Sequence, residues 1–374
     1  MIDTTLVILC AGESNRFEMQ VKKQWLRIQN DPLWLNLANR ISKYAKFNNI
    51  IIVSHKNEIE YMKNYTNKFD FIQGGTSRQD SISNALELVN TSYVLITDVA
   101  RACIPKSVIN DILNSKEKAD CIVPYLNISD TVVYNENTIN RDNVKLIQTP
   151  QLSRTLLLKD AIKKNISFTD ESSAIKNIGG KIIYIKGSTL SSKLTFGDEL
   201  SNINCLKKPS KDMFVGTGLD IHPFCDNKTM VLGGVILPYD YGFKAHSDGD
   251  VLIHSIIDSF LGAIGAGDIG EFFPDTDEQY KDANSKELLK YIIKFIRNVG
   301  YEIVNVDVTI LAQVPKINPH KDEIKNTLSS ILKIKKNKIN IKATTAEHLG
   351  FIGRKEALAV QSVSTLKYYD WTRK

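Results

Sequence analysis

In the first half of the chain, short apolar runs rich in β-branched residues alternate with segments of helical length. The runs predict β-strands at Leu6–Leu9, Ile50–Val53, Tyr93–Thr97, Cys121–Val123 and Ile182–Ile185. One intervening segment, Pro32–Lys46, has apolar residues at helical spacing behind a proline. This alternation predicts an α/β domain with a doubly wound sheet.

The pattern changes after a charged stretch that contains a proline. This stretch, Cys205–Asp212, predicts a short linker. Beyond it, strands are predicted at Met213–Leu219 and across the alternating residues from Val304 to Ala312, and helices at 248–264, 285–299 and 320–334. Because 374 residues exceed the roughly 250–300 that one core usually supports, we expect two domains, 1–208 and 209–374. The second is also predicted to be α/β or α+β.

Composition narrows the function classes. The formal net charge of +6 favours anionic partners, but the lysines are scattered without interleaved aromatic residues, which favours phosphorylated small molecules over nucleic acid. Five cysteines without a CxxC pair argue against a disulfide framework or a cysteine-rich zinc module. The apolar run Leu6–Ala11 is shorter than a signal-peptide core, and no apolar stretch approaches ~18 residues. We therefore expect a cytoplasmic protein without a membrane partner.

The first candidate site follows the opening strand. The small-residue turn Cys10–Phe17 would let backbone N–H groups approach phosphate oxygens, while Arg16 and Lys23 add positive charge. A second glycine turn, Gln73–Ser81, and the carboxylate of Asp98 at the end of a buried strand would meet it at the carboxyl edge of the sheet. Each feature alone also fits an ordinary solvated loop or, for Asp98, a helix cap.

The second candidate site combines strand and helix residues. Asp220 and His222 are two apart on a predicted strand and so point to the same face. His254 lies just beyond the first turn of a helix that Asp248 could cap. One carboxylate and two imidazoles leave a fourth position open, as in catalytic zinc sites. A plain hydrogen-bonded pair and a buried helix histidine are the alternatives.

Two polar segments accompany this site. The loop Gly265–Asp277 carries carboxylates that could bind ribose hydroxyls or remain solvated. The segment Ala343–Glu347 offers hydroxyls suited to phosphate and a carboxylate suited to a hard cation. We interpret His246 as a substrate or loop contact and His348 as a surface or packing residue.

Motifs along residues 1 to about 205 resemble those of the 2-C-methyl-D-erythritol 4-phosphate cytidylyltransferases. They are Ala-Gly-x-x-x-Arg at 11–16, Lys-Gln at 23–24, Gly-Gly-x-x-Arg-x-x-Ser at 74–81, Asp-x-Ala-Arg at 98–101, Asp-Thr at 130–131, Thr-Pro-Gln at 149–151, Thr-Asp-Glu-x-Ser-Ala at 169–174 and Lys-Leu-Thr at 193–195. The resemblance implies that Arg16, Lys23 and Lys193 act on the phosphates of CTP, that Gly74, Gly75 and Ser81 surround cytidine, and that Asp98, Arg101, Thr131 and Arg141 bind methylerythritol phosphate. Ser14 and Ala102 depart from the usual glycine and proline; if Ser14 has a positive φ, the turn is strained.

From Met213 to about Leu366, the chain resembles the 2-C-methyl-D-erythritol 2,4-cyclodiphosphate synthases. The motifs are Gly-x-Asp-x-His at 218–222, Leu-Gly-Gly at 232–234, Ala-His-Ser-Asp-Gly-Asp at 245–250, Gly-Asp-Ile-Gly at 267–270, Phe-Pro-Asp-Thr-Asp at 273–277, Asn-Val-Asp-Val-Thr at 305–309, Ala-Gln-x-Pro-Lys at 312–316 and Ala-Thr-Thr-x-Glu at 343–347. The resemblance implies Zn²⁺ on Asp220, His222 and His254, and Mg²⁺ or Mn²⁺ on Glu347. We assign substrate binding to His246, Ser247, Asp268, Gly270, Asp275, Ala312, Pro315, Lys316, Thr344, Thr345 and Arg354. Ala346 stands where a third threonine is usual.

Together, the resemblances imply two non-consecutive steps of the non-mevalonate isoprenoid route in one polypeptide. The first transfers CMP from CTP to methylerythritol phosphate, and the second closes a cyclic diphosphate with release of CMP. Two alternatives stay open: a C-terminal domain that serves assembly alone, or a zinc-stabilised nucleotide-binding module without turnover.

The resemblance also implies an assembly. The polar stretch Asn127–Leu146 predicts a projecting β-arm, and in the cytidylyltransferases this arm brings Thr131 and Arg141 to a neighbour's pocket across a two-fold axis. The cyclodiphosphate synthases are trimers. A two-fold and a three-fold contact close most simply as a hexamer.

Overall fold

The computed structural model describes residues 2–164, 166–203, 205–245, 247–274, 276–280 and 283–373. The chain divides into two compact units: Met1–Pro209 together with Asp370–Lys374, and Ser210–Tyr369. The tail at 370–374 thus belongs to the first unit, whereas the sequence patterns assign all of 209–374 to one domain. Within the described residues, no helix combines the length and apolar character needed to cross a membrane.

The first unit is built on one mixed sheet. The strands of this unit are β1 (Ile2–Leu9), β2 (Arg27–Ile28), β3 (Asp31–Pro32), β4 (Phe47–Ser54), β5 (Asp70–Gln73), β6 (Tyr93–Asp98), β7 (Cys121–Asn127), β8 (Val132–Tyr134), β9 (Asn137–Ile139), β10 (Lys145–Ile147), β11 (Gln151–Arg154) and β12 (Ile182–Lys186). Its α-helices are α1 (Leu33–Ser42), α2 (Lys56–Lys63), α3 (Arg78–Glu87), α4 (Lys106–Asn114), α5 (Thr155–Ile162) and α6 (Glu171–Asn177).

The order and direction of the strands in this sheet determine at which edge the predicted glycine turns meet. The order is β10-β7-β11-β6-β1-β4-β5, with β12 pairing with β7. Strands β6, β1, β4 and β5 run parallel, so their carboxyl ends share one edge, whereas β11 is antiparallel to its two neighbours. The predicted α/β class is confirmed. Each apolar run predicted as a strand in this unit lies within an observed strand.

The second unit packs helices against a five-stranded sheet. The strands of this unit are β13 (Met213–Asp226), β14 (Met230–Leu232), β15 (Val235–Leu237), β16 (Tyr241–Phe243), β17 (Tyr301–Leu311), β18 (Ile339–Thr344) and β19 (Ala357–Tyr368). The α-helices of this unit are α7 (Val251–Ile264), α8 (Ile269–Phe272), α9 (Ser285–Asn298), α10 (Lys321–Leu332) and α11 (Gly350–Gly353). The sheet order is β16-β13-β19-β17-β18, antiparallel except for the β17–β18 pair.

A glycine brings helix α7 unusually close to strand β13. A Cβ atom on Gly218 would lie only 2.0 Å from the carbonyl oxygen of Ser255. The buried Ser255 hydroxyl lies 2.6 Å from the hydroxyl of Ser362 on β19, so these two polar groups satisfy each other between helix and sheet. The helix that carries His254 is thereby held against the strand that carries Asp220.

Two sequence-based expectations need correction. The N-cap of α7 is Asp250, whose side chain accepts a hydrogen bond from Ile253 N, so Asp248 does not cap this helix. The cysteine pattern argues against a disulfide framework, but one disulfide is present, between Cys103 and Cys205. They are 102 positions apart in sequence, and only the fold brings them together.

Candidate functional sites

The glycine turns of the first unit enclose a pocket of about 900 Å³ at the carboxyl edge of its sheet. Its wall includes seven residues predicted from sequence, namely Arg16, Lys23, Gly74, Gly75, Ser81, Asp98 and Lys193. A Cβ on Gly74 would lie 2.4 Å from Ala11 Cβ, and one on Gly75 would lie 2.1 Å from Asp80 Cβ. A larger residue at position 74 would therefore push the two turns apart, whereas one at position 75 would collide with the first turn of α3.

Ser14 has a positive φ, so the turn that contains it is strained. Its φ is 59° and that of Glu18 is 54°, a conformation that non-glycine residues adopt at a cost. The Ser14 hydroxyl accepts a hydrogen bond of 3.1 Å from the backbone N–H of Lys23. This bond ties the turn that carries Arg16 to the turn that carries Lys23.

Positive charge converges on this pocket. Burial, together with the nearby charges of Lys193 and Arg16, lowers the pKa of Lys23. Burial favours the neutral form of Asp98, but Arg78 and Lys193 outweigh it and hold the pKa of its carboxyl below the ordinary value. Lys193 Nζ lies 2.8 Å from Asp98 Oδ2. A phosphate chain entering the pocket would relieve the repulsion among the three cations.

A smaller pocket of about 450 Å³ adjoins the first and shares Arg78, Asp98 and Lys193 with it. Arg101 lines this second pocket and is held in place, because its Nε donates to Thr149 Oγ1 at 2.9 Å and its Nη1 donates to Ser191 O at 2.6 Å. The paired pockets suit two phosphorylated molecules that meet at Asp98 and Lys193.

The β-arm is present but does not reach these pockets. Strands β8 and β9 form an isolated hairpin, as the polar stretch predicts. Thr131 and Arg141 are exposed and line neither pocket. The Arg141 guanidinium donates to the carbonyl of Ser129.

Two site residues were missed from sequence. Arg78 donates from Nε to Asp98 Oδ1 at 3.2 Å and from Nη2 to Glu171 Oε1 at 2.9 Å. Glu171 is buried, and burial raises the pKa of its carboxyl although Arg78 opposes the rise. Arg78 is the arginine of the Gly-Gly-x-x-Arg-x-x-Ser motif, which was the available signal. No spacing pattern connects Arg78 with Glu171, which lies 93 positions away.

In the second unit, Asp220, His222 and His254 meet as predicted. Their nearest donor atoms all lie within 4.8 Å of one another, and no other such group of three is found among the described residues. His222 Nε2 is 3.2 Å and His254 Nδ1 is 3.3 Å from Asp220 Oδ2. That oxygen is buried and accepts no hydrogen bond of acceptable geometry. Three donors directed at one point, with an orphaned carboxylate oxygen among them, fit a metal ion.

The outer ring nitrogens of both histidines are also engaged. His222 Nδ1 lies 3.0 Å from Gly249 O, and His254 Nε2 lies 3.0 Å from Ser285 Oγ. Such contacts fix ring orientation in metal sites. Burial disfavours the charged form of His254, but the Asp220 carboxylate outweighs this effect and raises the pKa of the imidazole. Ser247 Oγ is 3.4 Å from His254 Nε2.

Other predicted residues gather at the ends of β17 and β18. Ala312 N donates to Thr344 O at 3.0 Å, and Thr345 Oγ1 donates to Glu347 Oε1 at 2.5 Å. Glu347 has a φ of 47° and is exposed, and it is not part of the three-donor group.

The remaining predicted residues differ in exposure and in hydrogen-bond partners, and two of them lie outside the described residues. Asp268 caps α8 and accepts from Glu271 N at 3.1 Å. Arg354 is exposed and paired with Glu356 at 2.8 Å. Pro315 is buried, whereas Gly270, Lys316 and His348 are exposed. His246 and Asp275 lie outside the described residues.

Comparison with known proteins matches both halves of the chain. The family model for 2-C-methyl-D-erythritol 4-phosphate cytidylyltransferase matches residues 4–206, and the YgbB family model matches residues 213–367. The "Bifunctional enzyme IspD/IspF" of Aliarcobacter butzleri is 64% identical over 100% of both chains, and that of Campylobacter fetus is 50% identical over 99% of both. The solved structure of the bifunctional IspDF from Campylobacter jejuni covers 99% of this chain and 100% of its own, with 45% identity and a TM-score of 0.90.

Proposed function

We propose, from the premise that this chain belongs to the bifunctional IspD/IspF enzymes, that the paired pockets and the Asp220–His222–His254 group are its two catalytic sites. The enzyme has cytidylyltransferase and cyclodiphosphate synthase activities of the methylerythritol phosphate route to isoprenoids. Its substrates are small phosphorylated molecules. The roles of individual residues, the metal ions and the assembly are our proposal.

In the first reaction, an oxygen of the substrate's 4-phosphate attacks the α-phosphorus of CTP, and the bond to pyrophosphate breaks. Arg16, Lys23 and Lys193 stabilise the negative charge that develops on the phosphates, and Asp98 and Arg101 orient methylerythritol phosphate. Positioning and electrostatics account for such catalysis without a covalent enzyme intermediate. The observation that carries this proposal is the convergence of the three cations on one pocket formed by the glycine turns.

In the second reaction, the substrate's 2-phosphate attacks the β-phosphorus, a cyclic diphosphate forms and CMP leaves. Asp220, His222 and His254 would hold Zn²⁺, which when bound supplies a Lewis acid for a phosphoryl oxygen. Glu347 would hold Mg²⁺ or Mn²⁺, for which carboxylate oxygen is a suitable ligand. Thr344 and Thr345 would donate hydrogen bonds to diphosphate oxygens.

The two sites are tested by separating the activities. Lys23→Ala should abolish cytidylyl transfer from CTP and leave cyclisation nearly unchanged, whereas His222→Ala should lose zinc and cyclisation only. Lys68→Ala, which removes an exposed lysine of the first unit, is the matched charge control and should retain both activities. Loss of both activities in a folded single variant would refute two independent sites. Full zinc content and turnover in His222→Ala would refute the ligand assignment.

Exposed apolar side chains support an assembly larger than a monomer. On β13, Val215 and Leu219 alternate toward solvent, each 62% exposed, and on the β-arm Val133 and Tyr134 are 62% and 67% exposed. Such patches are typical of protein–protein contacts. We propose that the β13 face forms a three-fold contact and the arm a two-fold contact.

These two contacts close as a hexamer, in which Thr131 and Arg141 serve a neighbour's pocket. Light scattering at assay concentration should therefore give a mass of six chains. A fully active monomer would overturn the shared-site proposal, whereas an active trimer would overturn only its two-fold half.

A further inference from the structure

A buried carboxylate lies beside the turn that carries Lys23. Glu58 stands in the first turn of α2 and is only 3% exposed. It belongs to none of the motifs that identify the family. A buried carboxylate is costly unless its oxygens receive strong hydrogen bonds, so its partners indicate what it stabilises.

The partners of Glu58 flank Lys23 on both sides. Oε1 accepts from Lys22 Nζ at 2.8 Å, and Oε2 accepts from Trp25 Nε1 at 2.6 Å and from Gln24 Nε2 at 3.3 Å. All three donating residues are buried. One side chain on α2 therefore holds the residues immediately before and after Lys23.

The same contacts extend to the nucleotide pocket. Gln24 Nε2 also lies 3.3 Å from the carbonyl of Gly12, and Lys23 N donates to Ser14 Oγ at 3.1 Å. Gly12 and Ser14 line the pocket. Because Ser14 has a positive φ, the turn needs surrounding contacts to hold it.

We propose that Glu58 is a positioning residue for cytidylyl transfer: it gathers Lys22, Gln24 and Trp25 so that the Lys23 ammonium is directed at the phosphates of CTP. The proposal rests on the proposed role of Lys23. A simpler role would be to neutralise the buried charge of Lys22. Lys22 has a second carboxylate partner, Glu13 Oε2 at 2.9 Å, whereas the Trp25 N–H contact gains nothing from charge neutralisation.

The test compares Glu58→Gln with Glu60→Gln in the full-length enzyme. Glu60 lies on the same helix but is exposed and paired with Lys63, so it is the matched control. We expect Glu58→Gln to lower kcat/KM for CTP by roughly 10- to 100-fold, since a displacement of about 1 Å can cost 100-fold. In Glu58→Gln, KM for methylerythritol phosphate and the rate of cyclisation should change less than twofold. In Glu60→Gln, kcat/KM for CTP should also change less than twofold.

A double variant separates positioning from charge neutralisation. Lys22→Met combined with Glu58→Met removes both buried charges. This double variant should have a higher Tm than Glu58→Gln, while its defect in kcat/KM for CTP persists. Recovery of full transfer activity in this variant would overturn the proposal, as would a Glu58→Gln enzyme with a lower Tm but unchanged kinetics below it. Transfer activity retained by Lys23→Ala would refute the proposed role of Lys23 in the pocket, and this outcome is distinguishable from a failure of the Glu58 proposal alone.

Discussion

Replacing Gly218 by alanine should weaken metal binding at the second site without unfolding the unit that contains it. Gly218 lies in β13 two residues before Asp220, and helix α7 crosses directly over it. The glycine does not have a positive φ, so alanine can adopt its backbone conformation. The expected effect therefore comes from the space that the added methyl group requires.

The size of the perturbation follows from one distance. The new Cβ would lie 2.0 Å from Ser255 O, whereas carbon contacts require roughly 3.5 Å, so α7 must retreat by about 1.5 Å. His254 precedes Ser255 and would move away from Asp220. Metal–ligand distances tolerate only about 0.2 Å. We expect zinc affinity to fall about 10- to 100-fold and the free energy of unfolding to fall by about 1–3 kcal/mol.

Zinc affinity is measured by competition with a chromophoric chelator, and cyclisation by release of CMP. The matched control is Gly262→Ala on the same helix, where the nearest atom to the new Cβ is Thr217 O at an ordinary 3.7 Å. Alanine is favoured over glycine within a helix by roughly 1 kcal/mol, so this control should bind zinc normally and be slightly more stable. A folded Gly218→Ala enzyme with unchanged zinc affinity would refute the claim that this close approach sets the ligand geometry.

Three further predictions concern other features. Glu347→Gln should retain zinc, measured by metal analysis, but lose most cyclisation; unchanged turnover at saturating Mg²⁺ or Mn²⁺ would exclude its role at a second ion. Trp371→Ala should destabilise the first unit by about 3 kcal/mol in denaturant unfolding, because Trp371 is 8% exposed and donates to Arg27 O at 2.8 Å; an unchanged unfolding midpoint would contradict this anchoring. Reducing the Cys103–Cys205 bond should lower the free energy of unfolding by about 2–5 kcal/mol, and thiol titration of the unreduced, unfolded protein should find only the three free cysteines; finding five would contradict the bond.

Much of the second site was predictable because its signals are local. The two-residue spacing of Asp220 and His222 places both on one face of a strand, and this expectation is confirmed by their geometry. The sequence also predicts the helix with His254, although α7 begins three residues later than the predicted start at 248. Asp248 and Asp250 are both good caps, and only the hydrogen bonds that Asp250 accepts from Ile253 N and Gly233 N distinguish them.

Less of the first site could be derived in this way. Arg16 and Lys23 both follow β1, and the turn Gln73–Ser81 follows β5, so the parallel strands bring these turns to one edge of the sheet. Glu58 lies in a short helix that also contains Lys56, Glu60 and Lys63, and nothing local indicates that its carboxylate alone among these charged groups is buried. Its role depends on the approach of Trp25, 33 positions earlier.

By itself, the sequence determined the two α/β units, the order of motifs and the residue types able to bind phosphate or metal, because strand and helix periodicities and turn chemistry act over a few residues. The tertiary structure alone decided which distant groups pair: Glu58 with Trp25, Arg78 with Glu171, and Cys103 with Cys205. It also decided the return of the tail to the first unit. Such pairs depend on packing among elements far apart in the chain, where burial changes the free energy of a charge or hydrogen bond by more than any local preference does.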